Sequence, residues 1–158
     1  MTQFKRPSVI IFGVQSLDDA RYFSARMVDH LIFNLANTSI HEVIEIKEWV
    51  EGPGFFVYIP SSAMSLLDEV MIKIQPEGLV FHSSEEHEIP THISELVSFY
   101  LDPKNPSEPI NYNGISYRVM SVYDSAWNEG ENVLIRVEGE LSAEDYDRLD
   151  ELFDRMDM

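Results

Sequence analysis

The 158-residue chain has no cysteine. That excludes a disulfide framework, a thiolate zinc site and a cysteine nucleophile, and it agrees with a reducing compartment. Basic residues are scarce: 11 Lys and Arg stand against 28 Asp and Glu, a formal net charge of −17. Affinity for nucleic-acid phosphate comes from Lys and Arg displacing counterions, so direct nucleic-acid binding is not expected. No apolar run is long enough to span a bilayer, so no membrane segment is expected. The opening stretch, MTQFKRPSVIIFG, has a basic pair but neither a long apolar run nor a small-residue cleavage site. It is read as leading into a strand, with no signal peptide. The location expected is the cytoplasm or the interior of a viral particle.

Motifs of catalysis are also missing. There is no G-x-S-x-G elbow. Gly13 stands alone after the first apolar run, without the second glycine and the lysine of a phosphate-cradling loop. DSAWNEGENVLI lacks the ligand spacing and the final glutamate of an EF-hand. There is no internal repeat. No cofactor, no metal and no catalytic residue is expected.

What is present reads as alternating elements. PSVIIFGV (7–14) has the β-branched density of a buried strand. Residues 16–37 read as one helix, with Ser16 as its N-cap and Ala20, Phe23, Met27, Leu31 and Leu35 as its apolar stripe. In IHEVIEIKEWV (40–50), Ile40, Ile44, Ile46 and Val50 share one face of a half-buried strand. FFVYI (55–59) is a further strand, 61–74 a helix and LVFH (79–82) a strand. Residues 92–101 read as a short helix. Three prolines make 102–109 a loop, and Asn113-Gly114 signals a hairpin within 110–124. NVLIRVEG (132–139) is a strand. The last helix, 141–156, has Ser142 as N-cap with Asp145 three residues on, and a buried stripe of Tyr146, Leu149, Phe153 and Met156.

This order predicts an α+β protein. Its first half, 1–101, is a ferredoxin-like βαββαβ core plus a short helix. A Pro-rich loop (102–109) leads to an antiparallel β-meander with an acidic C-terminal helix (110–158), the whole packed as one compact unit.

The functional candidates are few. FHSSEEHEIPTHISE (81–95) holds His82, His87 and His92. A spacing of five matches neither helix nor strand periodicity, so the stretch is expected to be an acidic connector and not a metal centre. Trp49, Phe55, Tyr123 and Trp127 are large side chains suited to anchoring an interface. The acidic face of the last helix, with Asp147, Asp150 and Asp154, could imitate a row of phosphates. The charge is uneven: residues 1–60 carry 5 basic and 7 acidic groups, residues 61–158 carry 6 and 21. Together these predict a non-catalytic protein-interaction or assembly subunit, homo- or hetero-oligomeric, such as a small structural component of a viral (phage) particle, with protein partners that include basic ones. The alternatives are an acidic nucleic-acid mimic or counter-defence inhibitor of a basic cleft, and a small metal-dependent or acid/base enzyme centred on His82, His87 and His92.

Overall fold

The structure is a computed structural model and describes residues 6–85, 89–104, 109–124 and 127–157. Eight strands form one sheet in the order β5-β4-β3-β2-β1-β8-β7-β6. They are β1 Val9–Phe12, β2 His30–Asn34, β3 Gly54–Ile59, β4 Gly78–His82, β5 Val97–Leu101, β6 Ile110–Tyr112, β7 Ile115–Ser121 and β8 Val133–Arg136. Every pairing is parallel except β6 with β7. The two edge strands, β5 and β6, come round to lie beside one another, so the sheet is a nearly closed barrel.

This corrects the ferredoxin-like βαββαβ core and the antiparallel meander expected from the sequence. Three local readings produced the error. Residues 16–37 are not one helix: α1 (Leu17–Ala25) is capped by Arg26, Met27 just beyond takes a left-handed φ of 61°, and β2 follows. No glycine or proline marks that break, so the apolar spacing ran straight through it. The run HLIFN is buried on both faces, as expected of a parallel strand. Residues 40–49 are a helix, α2 (Ile40–Trp49), and not a strand. Ser39 and Glu42 form a capping box, and Ile40, Val43 and Ile46 are its buried side; the period of three defeats the apparent period of two. Residues 92–101 divide into a 3-10 turn (Thr91–Leu96) and β5.

Other expectations match. Strands stand at 9–12, 54–59 and 78–82. Residues 61–74 are helical throughout, as a 3-10 segment (Ser61–Leu66), a short α3 (Leu67–Glu69) and a π turn (Val70–Ile74). Asn113-Gly114 forms the two-residue turn between β6 and β7, with φ of 54° and 78°. The last helix, α4 (Ala143–Met156), carries the capping box of Ser142 and Asp145.

Two apolar cores result. The outer one lies between the sheet and its helices, with Phe23, Val43, Leu67 and Phe153 packed on Ile11, Phe33 and Val57. The inner one fills the barrel with Ile10, Ile32, Phe56, Val80, Tyr117 and Leu134, among others. Such an interior is a packed core and not a pore. Gly54 faces inward, and a Cβ there would meet the His30 ring at 2.6 Å. Gly13, at the end of β1 with φ of 98°, lies so close to β8's exit that a Cβ would meet the Val137 carbonyl oxygen at 2.4 Å. α4 is tied to α1 by polar bonds: buried Asp19 accepts from the Tyr146 hydroxyl, and Tyr22 donates to Asp150 at 2.7 Å. Burial and that carboxylate both raise the Tyr22 pKa.

Candidate site at the strand ends

Strand residues alternate between the two faces of a sheet. Stepping by two from the inner residues Ile32, Val80, Val119 and Leu134 reaches Asn34, His82, Ser121 and Arg136, each the last residue of its strand. Parallel pairing puts all four at one end of the barrel. Four inward polar residues at the carboxyl ends of parallel strands form a polar mouth above an apolar filling. In barrels of parallel strands this is the end at which sites are built.

The side chains make a connected set. His82 Nε2 lies 3.4 Å from Asp102, just past β5. The backbone N–H of Ser84 donates to His82 Nδ1 at 3.1 Å, and the Ser84 hydroxyl is 2.8 Å from the same nitrogen. Nδ1 therefore carries the lone pair of the neutral ring, and the ring proton sits on Nε2, facing the carboxylate. Arg136 Nη1 donates to the carbonyl of Pro103, the residue after Asp102. β8 and β5 are not neighbours in the sheet, so this bond ties the end of β8 to the segment that follows β5, one residue beyond Asp102. Glu138 lies 3.8 Å from Arg136 and is itself exposed.

Arg136 also lines a cavity of about 270 Å³ with Ser121, Val122, Tyr123, Glu138, Leu141 and Asp145. That is at the small end of ligand-pocket sizes. Its far wall is the start of α4. The backbone N–H of Ser142 holds the Asp145 carboxyl below its usual range, and the hydrogen bond to Asp145 raises the Tyr123 phenol. The Arg136 side chain is only 17% exposed, and its Nε is buried with no hydrogen-bond partner among the described residues. A buried unpaired N–H of a cation is costly.

The set can hold a small anion on Arg136, with Ser121 nearby to donate, and it can exchange a proton at His82. No protein-family model, no curated protein and no solved structure matches this chain.

The predicted site residues are scattered. His82 is in the mouth. His92 is exposed in the 3-10 turn, and His87 lies outside the described residues. Among the described residues no group of three or more His, Asp or Glu is placed to hold a metal ion. Phe55 and Trp127 offer no contact surface: they are 8% and 6% exposed. Phe55 stacks on Phe33, and Trp127 Nε1 donates to the Glu131 carbonyl while Arg155 lies over its ring. Both aromatic rings bury more favourably than they would stand in water. Trp49 and Tyr123 are each 66% exposed. Asp150 and Asp154 are both engaged by Arg26, at 2.6 and 2.9 Å, and Asp147 is exposed. Two of the three aspartates put forward as phosphate mimics therefore serve the α1–α4 joint.

Arg136, Asp102 and Ser84 escaped the sequence reading. The available signal was a single arginine ending an otherwise apolar strand, VLIR, and a histidine ending another, LVFH. Both become informative only once the strands are known to be parallel.

Proposed function

We propose that the chain binds a small polar molecule carrying an anionic group at the mouth of the barrel. The Arg136 guanidinium holds the anion, with Ser121 beside it. Asp102 and Glu138 accept hydrogen bonds from the rest of the ligand, and His82 gives or takes a proton. One observation carries the reading: Arg136 donates to the carbonyl of Pro103, the residue after the Asp102 that faces His82, yet its buried Nε–H has no partner among the described residues. An assembly role is a separate proposal, and the residues of the mouth do not support it.

Thermal unfolding with inorganic phosphate, sulfate, acetate and malonate tests the proposal. At least one anion is expected to raise the melting temperature saturably, as ligands of the native state do. Arg136→Met should abolish the effect and Arg136→Lys should weaken it, because lysine lacks the planar fork. Equal stabilisation of the wild type and Arg136→Met would overturn the proposal, as would no saturable effect of any anion.

A further inference from the structure

A second surface is built differently. A groove of about 520 Å³ runs along α2 past the start of α1, lined by Gln15, Ser16, Leu17, Glu42, Glu45, Ile46, Glu48 and Trp49. Glu42, Glu45, Ile46 and Trp49 fall at i, i+3, i+4 and i+7, one continuous helix face about 10 Å long. Ile46 is buried and forms the floor, while the Trp49 indole stands 66% exposed at one end. A large aromatic left in water beside an apolar floor is an unmet demand for contact.

The lining also specifies the kind of contact. It contains three glutamates and no Lys or Arg. Glu42 is engaged by Ser39 in the capping box and Glu45 lies 3.0 Å from His41. Glu48 has no ion-pair partner among the described residues. A lysine or arginine side chain laid in the groove would set its stem on Ile46 and Leu17, its charge between Glu45 and Glu48, and its edge against the indole face. A second copy of this chain is a poor occupant, because a net charge of −17 sets carboxylates against carboxylates.

We infer that the Trp49 groove docks a Lys- or Arg-bearing segment of a different protein. This is independent of the barrel mouth: none of its residues belongs to that site, and either can fail without the other.

The test is calorimetric titration of the full chain with a short synthetic peptide of lysine, leucine, glycine and serine, and with its counterpart carrying glutamate for lysine. The lysine peptide is expected to bind saturably and to weaken as salt rises, and the glutamate peptide is expected not to bind. Trp49→Ala combined with Glu45→Gln and Glu48→Gln should weaken binding about tenfold or more, from the lost cation–π contact and ion pairs. These side chains are exposed or half-exposed, so circular dichroism and melting of the variant should match the wild type. Glu144→Gln with Asp147→Asn and Glu151→Gln, on the acidic face of α4, should bind as the wild type does. Equal weakening by the α4 variant would mean attraction by overall charge only and would overturn the inference. So would absence of saturable binding, or self-association of the free chain that Trp49→Ala abolishes.

Discussion

The two ends of the barrel each hold an inward-facing histidine, and the two are treated in opposite ways. At the floor, the His30 ring stacks on Phe56 with centroids 4.4 Å apart, and Tyr112 meets it edge-on. Its Nδ1 is buried without a hydrogen-bond partner among the described residues, and Nε2 is 3.6 Å from Glu77. Burial pushes the imidazole below its usual value, more than the nearby Glu77 and Asp29 charges raise it. At the mouth, both nitrogens of His82 have polar neighbours, Ser84 and Asp102, and Arg136 binds the carbonyl of Pro103, the residue after Asp102. The floor histidine behaves as an aromatic filler that tolerates an unmet polar atom. The mouth histidine is held in one tautomer by groups that can also meet a ligand. The residue type therefore says little about role, and the end of the strand on which it sits says much.

Substitutions that test this contrast should cost stability at the floor and spare it at the mouth. Phe56→Ala removes a fully buried ring from the inner core and the stacking partner of His30. It should destabilise by about 3–5 kcal/mol in urea unfolding. Gly54→Ala pushes a methyl group into the His30 ring. Overpacking of this kind should cost on the order of 1–3 kcal/mol in the same measurement. His30→Phe should remove part of the pH dependence of stability. The unfolded chain takes up the His30 proton near pH 6.5 and the folded chain only at lower pH. Between those values the unfolded state therefore holds more protons, and stability falls as pH drops. Melting curves of wild type and His30→Phe should diverge below about pH 6.5 and run parallel above it. His82→Asn should change stability least, within roughly 0.5 kcal/mol. A loss at His82 as large as that at Phe56 would erase the distinction between the ends.

How much of this was legible in the sequence depends on the kind of signal. The α4 capping box, the Asn113-Gly114 turn and the apolar strands β1, β3, β4 and β8 are set by neighbours in the chain and are legible in it. α2 was missed because β-branched residues at alternate positions outweighed the Ser39/Glu42 cap, which needs no tertiary context and was there to be read. β2 was missed because the chain leaves α1 through Met27 in a left-handed conformation that usually calls for glycine. Once α2 became a strand and β2 a helix, a parallel βα repeat could not be recognised. β8 illustrates the remaining difficulty. VLIR was correctly a strand, but its insertion between β1 and β7 is a pairing over more than a hundred residues that no local pattern encodes. The candidate site inherits that difficulty, because Arg136, His82 and Asp102 are brought to one end of the barrel only through sheet order.

The central claim is that the mouth, and not the floor, meets a ligand through Arg136. Nitrogen-15 spectra of the histidine rings, recorded while inorganic phosphate is added to the labelled protein, test it most directly. Saturable shifts of the His82 ring signals are expected in the wild type, with loss of those shifts in Arg136→Met and a stationary His30. Shifts of His30 equal to those of His82, or a His82 that phosphate leaves unmoved in the wild type, would contradict it.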